Sequence, residues 1–205
     1  MRQSDWASLM SNLGFSASTA TYSELKLRHQ EKHRKYHNVA HIESVLSEFS
    51  NSRHIAENPN SIELALWFHD AIYNTFSKSN EKDSADLAVS FISKNSDNKE
   101  LQQTVHSLIM ATEHNFVPTL NDQRLMVDID LSILGSGESQ YAEFEAAIRK
   151  EYKYVPSFLF KKKRIKLLQY FLNRESIYSH QHYVDSLEKQ ARLNIKNAIT
   201  KLRSA

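Results

Sequence analysis

A chain with only three glycines and three prolines among 205 residues has few places to break a helix or turn a hairpin, and that scarcity constrains its fold more than any other feature. No stretch alternates apolar and polar residues for long enough to make a strand. Apolar residues recur instead at helical spacing, in Ile42, Val45, Leu46 and Phe49, and again in Ile62, Ala65, Leu66, Ile72 and Tyr73. The same spacing returns in Ala85, Ala88, Val89 and Ile92, in Leu101, Val105, Leu108 and Thr112, and in Leu125, Met126, Ile129 and Ile133. Boundary residues agree: Ser61 reads as an N-cap with Glu63 in its first turn, Asn80 and Asp83 as a capping box, Asn121 as another cap and Gly135 as a C-terminal stop. Further helical stretches lie near 140–151, 157–174 and 182–202. The pattern predicts an all-α helical bundle in one domain, 1–205, with its chemistry in a core of about 36–135 and a basic helical part at 140–205.

Cysteine is absent, so disulfides and thiolate metal sites are excluded and any metal must be held by imidazoles and carboxylates. Met1 to Ala20 intersperses Arg2, Asp5 and several serines among isolated apolar residues, unlike a secretory signal. No run approaches the ~20 apolar residues of a membrane span. The expectation is a cytoplasmic protein without a membrane partner. Formal charge is +2, yet nine Lys or Arg face one acid, Glu151, between Arg149 and Arg174. Such a cluster attracts phosphates or nucleic acid, or is an ordinary solvated helix face.

His69 and Asp70 close the apolar run Leu64-Ala65-Leu66-Trp67-Phe68. Chance alone supplies roughly 0.4 His-Asp dipeptides in a chain of this composition, so the surroundings carry the weight. His69 falls on the stripe of Ile62, Ala65 and Leu66 and should face inward, where an imidazole needs a hydrogen-bond partner or a metal. Asp70 follows about 100° around a helix, close enough to flank the same centre, and a buried carboxylate is costly unless paired or coordinated.

Upstream, His37 and His41 stand four residues apart in Tyr36-His37-Asn38-Val39-Ala40-His41. A helix through this segment would put both on one face. With Asn38 as N-cap, His37 would sit just outside the helix and His41 in its first turn. Either arrangement brings the two toward one site. Downstream, Asp128 and Asp130 lie about 200° apart on a helix, so only one can share that site. Asp128 follows Arg124 by four residues, the spacing of a surface ion pair. Asp130 borders Met126, Val127, Ile133 and Leu134 and is the better ligand. His41, His69, Asp70 and Asp130 thus form a sulfur-free set suited to a divalent Mn, Mg, Fe, Ni or Zn ion with positions open to water, which is a hydrolytic arrangement.

The order of a His, a His-Asp pair and a distant Asp resembles the HD-domain metal-dependent phosphohydrolases, an all-helical superfamily. Successive blocks YHNVAHIESVL, WFHDAIYN, NEKDSADLA, DIDLSILG, EYKYVPSF and QARLNI, between Tyr36 and Ile195, are similar to those of its small predicted members. The resemblance implies that His41, His69, Asp70 and Asp130 are the metal ligands. Tyr36-His37-Asn38 with His41 also resembles the opening motif of cyclic-nucleotide phosphodiesterases, which implies that His37 donates a proton to the leaving oxygen. The chain is much shorter than those catalytic domains. Ala71-Ile72-Tyr73-Asn74 lacks both the Gly-Tyr-Pro signature of cyclic-dinucleotide enzymes and the acidic pair of guanosine-tetraphosphate hydrolases. Some relatives bind a second metal through additional histidines, and His114 and His106 are the residues here that can serve a second metal or the substrate.

The expected chemistry is hydrolysis of a phosphoester or phosphoanhydride of a small molecule of the nucleotide class. The metal would acidify bound water and polarise a phosphoryl oxygen, with His37 and Asp70 in the catalytic machinery. Arg164, Arg149 and Lys162 are candidate phosphate-binding cations. Two alternatives keep part of this set: a metal-containing module that senses a nucleotide without turnover, and an RNA-directed phosphodiesterase that uses the basic segment.

Overall fold

Every regular element among the described residues, 1–114 and 118–204 of this computed structural model, is helical. The chain divides into two compact units, Met1–Ile129 and Asp130–Ala205. Among the described residues no helix is long and apolar enough to cross a membrane.

The first unit contains α1 (Gln3–Asn12), α2 (Thr19–His29), α3 (Val39–Ser52), α4 (Pro59–Phe68), α5 (Asn80–Asn95), α6 (Lys99–Ala111) and α7 (Asn121–Asp130), whose last residue is where the division falls. Helix α4 is its centre. Ile62 and Leu64 through Phe68 are all fully covered, and a helix apolar on every side must be enclosed by others. It packs against α1, α3, α5 and α6. Trp67 meets Trp6 edge-on at 5.3 Å between ring centroids, and Phe68 lies 5.4 Å from Phe91. Aromatic pairs of this kind add about 0.5–1.5 kcal/mol each beyond the area they bury.

Several boundaries differ from the sequence expectation for local reasons. Helix α4 begins at Pro59, not after Ser61, because Pro59 takes the first helical position, where a missing N–H costs nothing. It ends at Phe68, so Ile72 and Tyr73 lie beyond it. Ser79 precedes α5 as its N-cap and donates through its hydroxyl to Asp83, while Asn80 reaches back to Asn74. Helix α6 stops at Ala111 and does not extend to His114, whose φ of 57° is left-handed. Asp128, expected on the surface, is wholly buried. Arg124 donates instead to the Pro118 carbonyl at 3.0 Å.

The second unit holds a 3₁₀ turn (Leu131–Gly135), α8 (Glu138–Glu151), α9 (Ser157–Leu172), the short α10 (Gln181–Tyr183), a π turn (Val184–Glu188) and α11 (Lys189–Ser204). Helix α11 packs against α8, α9 and the 3₁₀ turn, and its buried Asn194 donates to the Leu134 and Ser136 carbonyls at 2.9 and 2.8 Å. Gly135 ends the turn for a reason other than a left-handed cap. A Cβ at that position would stand 2.5 Å from Leu187 Cβ and 2.9 Å from the Leu187 carbonyl oxygen. The residue must be glycine because the π turn crosses against its backbone.

Candidate metal centre

Three backbone devices aim the candidate ligands. Asn38 is the N-cap of α3: its Oδ1 accepts from Ala40 N–H at 2.9 Å and from His41 N–H at 3.4 Å, while its Nδ2 donates to the Lys35 carbonyl. His41 is thereby held in the first turn of α3. His37 lies one residue outside the helix, the second of the two arrangements open from sequence.

His69 follows the last residue of α4, and its ring stands with Nδ1 2.9 Å from the Leu66 carbonyl. A carbonyl in the last turn of a helix lacks an intrahelical donor, so Nδ1–H supplies one, and the Nε2 lone pair is left facing the centre. Asp70 comes next, on the turn that leaves α4.

The result is a tight triangle within the first unit. His41 Nε2 and His69 Nε2 are 3.1 Å apart, and Asp70 Oδ2 stands 3.3 Å from the first and 3.2 Å from the second. The two histidines are 5% and 2% exposed. Asp70 Oδ2 is completely covered and, among the described residues, makes no hydrogen bond. Burial alone would raise the Asp70 carboxyl. The imidazoles of His69, His37 and His41 around it outweigh that and hold the group well below the usual carboxylate range.

These atoms fit a divalent cation. Ligands about 2.0–2.2 Å from one ion are separated from each other by about 3.0–3.4 Å when they occupy neighbouring positions. A single proton can bridge the two nitrogens, but it leaves the buried carboxylate oxygen without a donor, which is expensive. One cation satisfies all three lone pairs together. His41 and His69 also group with Asp130, the last residue of α7, the ligand atoms of these three lying within 4.8 Å of one another. Asp128 is more deeply buried than Asp130.

His37 lies beside the triangle. Its ring is 5.8 Å from that of His41 and stacks on Tyr73 at 4.2 Å. Glu81, in the first turn of α5, feels the charges of Asp70, Glu113 and His114, and burial is the largest cause of its raised pKa. His114 thus lies near Glu81 in a left-handed conformation that histidine tolerates better than most residues. His106 sits elsewhere, in a pair with the exposed Asp86 at 3.7 Å.

The candidate phosphate-binding arginines are engaged inside the second unit. Arg164 holds Glu145 through two nitrogens at 2.7 and 3.1 Å and lies over the Phe144 ring. Arg149 donates to the Tyr152 and Val155 carbonyls at the end of α8 and covers Phe160. Both guanidiniums are engaged by acceptors of their own unit. Lys162 is exposed on α9.

Sequence motifs do not single out three neighbours of the triangle: Tyr73, the buried Arg34 and His29. His29 is fully enclosed with neither ring nitrogen hydrogen-bonded among the described residues, and burial, followed by the charge of Arg34, pushes its pKa down to about 3. A lone His in a polar segment carries no signal of such burial. The chain matches no protein-family model, and comparison with curated proteins and with solved structures found no match either.

Proposed function

We propose that this chain is a metal-dependent phosphohydrolase of the HD type, acting on a phosphoester or phosphoanhydride of a small molecule of the nucleotide class. The observation that carries the reading is the triangle of His41 Nε2, His69 Nε2 and Asp70 Oδ2, with sides of 3.1 to 3.3 Å around an otherwise unsatisfied oxygen. The motif order from Tyr36 to Asp130 supports it independently.

His41, His69, Asp70 and Asp130 would hold the ion. When bound, a divalent cation supplies an acidified water and a polarised phosphoryl oxygen. The protein's own contribution beyond the ligands is proton transfer and orientation. His37, an imidazole beside the centre and held face-on by Tyr73, gives its proton to the departing oxygen, a role worth about 10²–10⁴ in rate. His69 is locked in one tautomer by the Leu66 carbonyl, and Asp70 stays ionised across the neutral range.

The test is metal analysis of the purified protein followed by a panel of nucleotides and sugar phosphates with added Mn²⁺, Mg²⁺, Ni²⁺ or Co²⁺. Turnover should disappear in His69→Ala and Asp70→Ala, and fall about 10²–10⁴-fold in His37→Ala with metal content retained. Absence of turnover of every compound, or full activity in His69→Ala and Asp70→Ala, refutes the proposal. Nucleotide binding without turnover, unaffected by His37→Ala, would identify a sensor instead.

A further inference from the structure

The turn that leaves α4 poses a problem that a residue from another segment solves. Beyond Phe68 the chain abandons the helix, and the Asp70 and Ala71 carbonyls have no intrahelical donors. Arg34, from the segment between α2 and α3, meets both. Its Nη1 donates to the Asp70 carbonyl at 2.5 Å and its Nη2 to the Ala71 carbonyl at 3.0 Å. The same Nη1 donates to the His37 carbonyl at 3.2 Å. Nε is bound to Glu31 Oε2 at 2.8 Å, and the guanidinium carbon lies 5.5 Å from the centroid of the Tyr73 ring. Arg34 is 4% exposed. A guanidinium withdrawn from water to that degree is costly unless its donors are used, and here all three nitrogens are.

We propose that Arg34 is the positioning residue of the centre: one rigid guanidinium joins the backbone of His37 to that of Asp70 and Ala71, and so sets the spacing between proton donor and ligand carboxylate. The proposal rests on the metal-centre reading above. It follows from the shape of the group. Five N–H donors in a planar fork reach several carbonyls at fixed angles, whereas a lysine ammonium is a point charge on a flexible stem and cannot reproduce the pattern. Tyr73 reinforces the link, since it stacks on His37 and lies under the guanidinium that anchors the turn before it.

The test uses Co²⁺ alone as probe, followed by its visible absorption and by calorimetry, with circular dichroism to select conditions in which every protein is folded. Wild type should bind Co²⁺; failure here sinks the metal-centre reading and leaves nothing for Arg34 to position. Given wild-type binding, Arg34→Ala should weaken Co²⁺ about 10–100-fold, the usual effect of removing a group that orients metal ligands. Arg34→Lys should be similarly impaired, and added methylguanidinium should recover affinity in Arg34→Ala but not in Arg34→Lys. Should both variants fail to fold, Glu31→Gln loosens the Nε bond of a half-exposed acid, which also stands 3.8 Å from His33, and should raise the Co²⁺ dissociation constant about threefold. Folded Arg34 variants, or failing them Glu31→Gln, that bind Co²⁺ as wild type does, with an unchanged cobalt spectrum, would overturn the positioning role while the metal centre stands.

Discussion

His41 Nε2 and His69 Nε2 face each other at 3.1 Å across the interior of the first unit. Two imidazole lone pairs at that distance repel unless a proton or a cation lies between them, and Asp70 Oδ2, 3.2 to 3.3 Å from both, adds a negative charge. The arrangement is poised for a positive ion. It is also a place where binding and stability are one quantity.

Divalent metal should therefore stabilise the fold. At a free concentration of 100 times the dissociation constant the gain is about 2.7 kcal/mol, which in a chain of this size raises Tm by about 5–10 °C. Differential scanning calorimetry with Mn²⁺, Ni²⁺ or Zn²⁺ should show the rise, and chelator should reverse it. His69→Ala should abolish the metal response without abolishing cooperative unfolding. A metal response retained in His69→Ala would count against the site.

His29 makes stability depend on acid. Its pKa is about 3 in the folded state against the ordinary 6.5 of an unfolded chain, so between those values the unfolded chain binds the extra proton. Stability is then fully present above pH 6.5 and is lost as pH falls through the window to 3, at about 1.4 kcal/mol per pH unit from this one group. In His29→Phe, urea unfolding from pH 7 to pH 5 should be markedly less pH-dependent. The expectation fails if the two proteins lose stability in parallel.

Gly135→Ala should destabilise the second unit. The added methyl would meet both the side chain and the carbonyl of Leu187, so trimming the side chain does not relieve it. Overpacking of this kind costs about 1–3 kcal/mol. Thermal unfolding should show a Tm several degrees lower, in Gly135→Ala and in the double variant with Leu187→Ala alike.

Arg164 and Glu145 are 10% and 18% exposed in their side chains, so removing one partner strands a half-buried charge. Arg164→Met should cost toward the low end of about 3–5 kcal/mol, and combining it with Glu145→Gln should recover part of the loss. Inorganic phosphate binding, measured by calorimetry, should be the same in wild type and Arg164→Met. A loss of phosphate affinity without loss of stability would return Arg164 to ligand recognition.

The sequence by itself determined the helical architecture and singled out His41, His69 and Asp130, whose ligand atoms the fold gathers into one group. Sparse glycine and proline with a 3.6-residue apolar period admit little but helices, and the capping preference of Asn38 places His41 in a first turn without reference to any other segment. Those are local effects, legible in order along the chain. Burial was not local. Asp128 looked like a surface partner for Arg124 because a helix wheel gives spacing but not which side is enclosed. The carboxylate and carbonyls that engage Arg164 and Arg149 are likewise invisible as motifs. Only the tertiary structure brought Arg34 to the turn after α4, 36 residues along the chain, since its partners are backbone carbonyls that every residue carries and no side-chain pattern announces.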